Sequence, residues 1–303
     1  MPTTLATRRP KTVVLLQYTG IGDLVWHVPY FKAIADQSLG RKITLVAQPS
    51  TLAKGFLAHE PWIERIIDHD HRPRRGEKRK GQHAGLRGMW RMAQTLRQGQ
   101  FDRIVLFSGR PSRGLIAGLS GIPQRLGFGY NPLQRMFLNQ PPYIKRYVGP
   151  SLAVYPEASD FVVAHGFCKT PQVPRLTPPP ELVAEMRARF AHLPRPLYMF
   201  AIGTSEVHKQ WGANNFVDLA QRLIASGCGV VLIGGPAERD LAKTIETRMP
   251  DTTRAAFGVL TDATVLGSTA ALSVADACVG NDTGMVNVSA AVERPTYVII
   301  GPR

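Results

Sequence analysis

Residues 13–34 read VVLLQYTGIGDLVWHVPYFKAI. An apolar run long enough for one buried strand ends in Gly20-Ile21-Gly22, and Asp23 then opens a helical pattern reaching about Asp36. A strand running into a helix through glycines is the opening unit of a parallel α/β sheet. Such turns often cradle a phosphate, because glycine lets the backbone come close and the helix start presents N–H groups. A carboxylate at the centre of this one argues against that use.

The same alternation continues outward. KITLVAQ (42–48), a short helix near 51–58, IERIIDH (63–69), FDRIVLF (101–107), a helix over about 112–119 and QRLGFGY (124–130) follow in order. Residues 171–181, PQVPRLTPPPE, hold five prolines in eleven positions and read as a linker, incompatible with helix or central strand. The pattern then restarts. PLYMFAIG (196–203), GVVLIGG (229–235), ACVG (277–280) and PTYVIIG (295–301) are strands, with helices near 214–226, 237–248 and 266–275 and one more after ACVG. The expected class is α/β with two Rossmann-like domains, 1–172 and 173–303, whose parallel sheets face a cleft at the carboxyl ends of the strands.

The 303-residue chain has 44% hydrophobic and 19% charged residues, and its apolar runs are too short to span a bilayer. The arginines and apolar residues at the start are too short an apolar block for a secretory signal, which points to a cytoplasmic location. Cys168, Cys228 and Cys278 are odd in number and widely spaced, as reduced core thiols are. The net charge is +15, and residues 71–97 carry nine Lys/Arg against one Glu, so +8 of it. That segment either attracts a polyanion or anionic lipid surface, or is a solvated basic loop.

Three strand-end loops of the second half have the chemistry of a diphosphate site. In IGTSEVHKQW (202–211), Gly203 permits close approach, Thr204 and Ser205 offer hydroxyls and Lys209 offers a point charge. The spacing is not that of a P-loop. In IGGPAERD (233–240), Glu238 stands where a carboxylate could hold ribose hydroxyls or complement a helix dipole. In VGNDTGMVNVSAA (279–291), Asp282, Thr283 and Gly284 precede a small-residue helix; Asp282 there is a ligand-binding turn residue or an N-cap.

The order GIGD, TSEVHKQW, GGPAE and GNDTGMVNVSAA followed by RPTYVIIGP resembles glycosyltransferase family 9, the bacterial lipopolysaccharide heptosyltransferases, over residues 12 to 303 or nearly so. The resemblance implies a GT-B fold, an acceptor-binding first domain and a donor-binding second domain. It implies inverting, metal-independent transfer of a sugar, typically heptose from ADP-heptose, to a lipopolysaccharide-core acceptor. It makes Asp23 the general base, ionised at its helix start; a plain N-cap is the other role open to that residue. Lys209, Thr204, Ser205, Glu238, Asp282, Thr283 and Gly284 become donor contacts, and Gly20 and Gly22 let the acceptor approach. The family commonly has histidine where this chain has Asn287, which can hydrogen-bond donor oxygens but carries no proton. Family members also continue past GP with a further helix, so the chain reads as shortened at its C-terminus or lacking that segment.

After RIVLF, the loop SGRPSR (108–113) offers Arg110 and Arg113 to a phosphorylated acceptor, or merely two surface arginines. DHDH (68–71) mimics a metal-binding Asp-x-Asp but is read as a polar strand end. The expected partners are a nucleotide sugar, an anionic glycolipid and the inner-membrane surface, with no cofactor, metal or specific nucleic acid. A protein acceptor or another nucleotide sugar is the alternative within the class. A non-catalytic protein binding polyanions or membrane surfaces is the alternative outside it.

Overall fold

The computed structural model describes residues 8–73, 77–150, 153–204 and 206–301. The chain divides into two compact units, residues 1–174 and 175–303. Each is a five-stranded, wholly parallel sheet with helices between its strands.

Unit 1 contains β1 (Thr12–Leu16), α1 (Ile21–Asp36), β2 (Ile43–Ala47), α2 (Ala53–Leu57), β3 (Ile63–Asp68), α3 (Gly85–Gln98), β4 (Arg103–Phe107), α4 (Pro111–Ser120), β5 (Gln124–Gly127), α5 (Pro132–Arg135) and α6 (Val154–Ala164). The strand order is β3-β2-β1-β4-β5. β1, β2 and β4 are buried at every position, which is why they read as continuous apolar runs without alternation. Val13, Leu15, Ile104 and Leu106 pack beneath Met92, Leu96, Ile116 and Ala117 of α3 and α4.

Unit 2 contains α7 (Pro180–Arg189), β6 (Leu197–Ala201), α8 (Ala213–Ala225), β7 (Gly229–Ile233), α9 (Arg239–Arg248), β8 (Phe257–Leu260), α10 (Val265–Ser273), β9 (Ala277–Asn281), α11 (Gly284–Ala291) and β10 (Thr296–Ile299). Its order is β10-β9-β6-β7-β8. Phe200, Val230 and Leu232 pack with Phe216, Ala220 and Ile245 in its core. A Cβ on Gly280 would lie 2.5 Å from the Cβ of its register partner Ala201, so the end of β9 can approach β6 only with glycine there.

In both sheets the chain moves outward in one direction from the central strand and later returns to its other side. The direction reverses between β1 and β4 in unit 1 and between β6 and β9 in unit 2. Open α/β sheets bind ligands outside the carboxyl ends of the strands at such reversals.

Three local readings need correction. The proline-rich stretch does not stay irregular to residue 181: Pro180 is the first residue of α7, a position where the missing N–H costs nothing. The basic segment is not all loop, since residues 85–98 form α3. The first helix begins at Ile21 with Gly20 as its N-cap, so Asp23 is its third residue and not its cap.

Candidate functional site

In unit 1, the β1–α1 turn places Asp23 at the sheet's reversal point. The Gly20 N–H donates to Asp23 Oδ2 at 3.0 Å, the backward half of a capping box. Asp23 is half-buried. Burial raises its pKa above the ordinary carboxylate value, and the backbone N–H groups of Gly20 and Thr19 offset only part of that rise. A carboxylate that holds its proton more tightly is a stronger base, so burial works in favour of proton abstraction.

One turn later, the buried His27 places Nδ1 2.6 Å from the Asp23 carbonyl oxygen, which makes Nδ1 the donor. Its ring packs against Tyr18, Phe31 and Phe107, and Nε2 has no hydrogen-bond partner among the described residues. Burial lowers its pKa to about 4. Nothing in the spacing of the sequence singles out His27; it lies on the inward face of α1 among apolar residues.

The loop after β4 supplies two arginines. Arg110 is the N-cap of α4 and is exposed, while Arg113 is only 4% exposed. Arg113 forms no side-chain hydrogen bond or ion pair with any described residue, and its buried Nε is unpartnered. Burial, and then the charge of Arg110, lowers its pKa to about 10. The other buried arginine, Arg103, is satisfied: it donates to Thr12 Oγ1 and Ser38 Oγ at 3.2 Å each and sits over the Phe167 ring. Arg113 is therefore a desolvated cation whose charge no described residue pairs. Its charge reaches His69 and His71 at the end of β3 and helps burial depress both.

The DHDH stretch is held by cations. Asp68 pairs with Lys54 at 2.6 Å and Asp70 with Arg79 at 2.5 Å. Among the described residues no group of three or more His, Cys, Asp or Glu side chains converges as a metal site.

In unit 2, the loops after β6, β7 and β9 meet at the carboxyl edge. Lys209 Nζ lies 2.9 Å from Asp282 Oδ2 and 3.4 Å from Glu206 Oε1. The hydrogen bond to Asp282 raises the Lys209 pKa, so the ammonium stays charged. Asp282 is not a helix cap; Thr283 holds the N-cap position of α11, with extended backbone. Thr204 Oγ1 accepts the Glu206 N–H at 3.2 Å. Ser205 lies outside the described residues.

Glu238 Oε2 accepts the Gly235 N–H at 2.7 Å. A Cβ on Gly203 would lie 3.1–3.2 Å from the Glu238 carboxyl group, so that glycine makes room for the acid. Asn287 turns back on its own helix and donates to the Thr283 carbonyl at 3.1 Å.

The residue that ties these loops together is Asn281, fully buried at the end of β9. Its Nδ2 donates to Ile202 O and Gln210 Oε1 at 2.8 Å each, and its Oδ1 accepts the Trp211 N–H at 3.1 Å. It locks the loop carrying Lys209 to the end of β9, the residue before Asp282. Asn281 ends an apolar strand in the sequence, and its role shows only through partners far away in the chain, Ile202 and Trp211.

The comparisons with known proteins bear on this arrangement. Residues 89–302 match Glycosyltransferase family 9 (heptosyltransferase).

The chain belongs to glycosyltransferase family 9.

A curated relative is lipooligosaccharide heptosyltransferase 2 of Haemophilus influenzae, 26% identical over 70% of this chain and 64% of the relative. Lipopolysaccharide heptosyltransferase 2 of Escherichia coli K12 is 25% identical over 70% of this chain and 63% of its own length. This family 9 chain thus spans less than two thirds of those relatives.

Among solved structures, the ADP-heptose lipopolysaccharide heptosyltransferase II of E. coli superposes with a TM-score of 0.71 at 19% identity, covering 97% of this chain and 85% of that one. E. coli heptosyltransferase WaaC with ADP-2-deoxy-2-fluoro heptose gives 0.67 at 19% identity, over 96% and 89%. At such identities the likeness concerns the fold, which is GT-B.

Proposed function

We propose that this chain is an inverting glycosyltransferase that takes a nucleotide-activated sugar on unit 2 and an anionic glycolipid acceptor on unit 1. The observation that carries the reading is the meeting of Gly203, Thr204, Lys209, Asp282, Thr283 and Gly284 where the unit 2 sheet reverses direction. Family membership and the ADP-heptose named for the E. coli structures favour ADP-heptose as donor and a lipopolysaccharide-core sugar as acceptor.

In this reading Asp23 accepts the proton of the acceptor hydroxyl as its oxygen attacks the anomeric carbon. The bond from that carbon to the diphosphate oxygen breaks on the opposite face, so the configuration inverts. Lys209 and the N–H groups at the start of α11 take up the charge of the departing diphosphate. Glu238 and Asn287 contact the nucleotide sugar, and Ser205 adds a hydroxyl. Gly20 and Gly22 let the acceptor close on the backbone, while Arg110 and Arg113 bind its anionic groups. No step calls on a metal ion. The work is done in the cytoplasm, at the inner face of the inner membrane.

The test is a thermal-shift and calorimetry screen of ADP-, UDP- and GDP-sugars, followed by transfer assays with and without a chelator. A ligand that binds only the folded state raises its melting temperature. Saturable binding of an ADP-sugar, and transfer that survives the chelator, are the expected results. Salt-sensitive binding of any polyanion, with no preference among nucleotide sugars, would favour a non-catalytic role.

A further inference from the structure

Helix α3 of unit 1 has two faces of different character. Gly88, Met92, Ala93 and Leu96 are buried against the sheet and α4. On the outward side, Leu86 is 77% and Trp90 52% exposed. They stand four residues apart, so they lie one above the other along the helix. Arg87 and Arg91 repeat the same spacing beside them and are also exposed, and these four side chains lie together with Gln94 on one open surface.

A large exposed tryptophan with a leucine over it has no role in the core, and two such residues on one turn spacing form a small apolar ridge. The sequence around it is one-signed. There is no Asp or Glu anywhere between Glu77 and Asp102. Glu77 and Asp70, the nearest acids on the preceding segment, are both taken by Arg79. Lys78, Lys80 and Arg87 are exposed and form no ion pair with any described residue. Arg91 donates to the Gln82 carbonyl and forms no ion pair with any described residue.

An apolar ridge carrying tryptophan, flanked by Arg87 and Arg91 on a stretch without acids from residue 78 to 101, is complementary to an anionic bilayer surface. Indole prefers the boundary between headgroups and acyl chains, and arginine reaches the phosphates above it. We propose that α3 lies on an anionic phospholipid membrane, with Leu86 and Trp90 inserted at the interface and Arg87, Arg91, Lys78 and Lys80 on the headgroups. α3 has 14 residues and does not span; no described helix is long and apolar enough to cross a membrane. The proposal rests on the inner-membrane location proposed above and names the surface that would serve it; it needs neither Asp23 nor Lys209, so loss of vesicle binding and loss of sugar transfer are read separately.

The experiment is vesicle flotation of the full chain with phosphatidylcholine alone and with about 2:1 phosphatidylcholine and phosphatidylglycerol, at low salt and at about 0.15 M salt. The wild type is expected to float with the anionic vesicles. Leu86→Ser with Trp90→Ser should lower partitioning about tenfold or more at the higher salt, where insertion dominates. Arg87→Gln with Arg91→Gln should lower it by about fivefold per arginine at low salt on anionic vesicles alone. Trp90→Phe should still float but lose the blue shift of tryptophan emission on vesicles. All four side chains are exposed, so melting temperatures should match the wild type and a folding defect would be visible separately. Wild-type flotation by the folded double serine variant overturns the proposal, as does a wild type that ignores anionic vesicles. Concentration-dependent self-association that the double serine change abolishes, without any effect on vesicles, would assign the ridge to a second copy of the chain.

Discussion

Lys209 Nζ sits 2.9 Å from Asp282 Oδ2, and this contact joins the loops that leave β6 and β9 on either side of the point where the unit 2 sheet reverses direction. Both side chains are partly exposed, so the pair itself adds little to stability, ~0–1 kcal/mol. Its value lies in holding an ammonium, already oriented, where a diphosphate would arrive.

Lys209→Ala should therefore leave the melting temperature nearly unchanged and weaken sugar-nucleotide binding by about 1–3 kcal/mol, the scale of a lost charge-assisted hydrogen bond. Calorimetry reads both the affinity and the stoichiometry. Unchanged affinity in a folded Lys209→Ala protein removes Lys209 from the donor site.

How much of this was legible beforehand depended on what each residue shows locally. The buried strands announced themselves because a parallel sheet covered on both faces needs unbroken apolar runs. The glycine turns and Lys209 were visible because backbone approach and phosphate charge demand those residue types. α3 was hidden by its composition: its buried stripe is only Gly88, Met92, Ala93 and Leu96, and the surrounding arginines looked like solvated loop, although arginine is a good helix former. His27 and Asn281 were illegible for another reason. Their importance lies in contacts with residues distant in the chain, Phe107 for one and Ile202 and Trp211 for the other.

Acid should destabilise the fold through its buried histidines. His27 is fully buried with a pKa lowered to about 4 from 6.5. Between those values the unfolded chain binds the proton and the folded chain does not, so stability is present above about pH 6.5 and is lost as pH falls toward 4. The loss from His27 alone is on the order of 3 kcal/mol. His71, lowered to about 4, and His69, lowered further, act in the same direction. Asp23 and Glu157, both raised, act in the opposite sense in the carboxylate range. Urea unfolding across this window should show a shallower acid slope for His27→Phe than for the wild type. Identical slopes would mean that His27 does not stay neutral in the folded chain.

Arg113 should trade stability for acceptor binding. It is a buried cation with no partner among the described residues, so its desolvation cost is uncompensated. Arg113→Met keeps most of the volume and removes the charge; the melting temperature should hold or rise. If an anionic acceptor group fills the site, the same change should raise the acceptor KM about tenfold or more while leaving donor affinity alone. Steady-state kinetics with varied acceptor separates the two. A destabilised Arg113→Met protein with an unaltered acceptor KM would make the arginine structural.

The decisive residue for catalysis is Asp23, because its carboxylate has a structural duty that must be separated from a chemical one. Oδ2 accepts the Gly20 N–H and fixes the start of α1. Asp23→Asn keeps an oxygen able to accept the same N–H and removes the proton acceptor, so the melting temperature should stay close to wild type. Asp23→Ala removes the capping oxygen as well and should cost about 1 kcal/mol. Turnover with a competent acceptor should fall by ~10²–10⁴-fold in Asp23→Asn, with donor affinity unchanged. The wild-type rate should decline as pH falls through the raised Asp23 pKa, because only the ionised carboxylate can take the proton. The residual rate of Asp23→Asn should lack that acid limb. A folded Asp23→Asn protein that turns over like the wild type would leave the carboxylate with its capping role alone and move the base elsewhere.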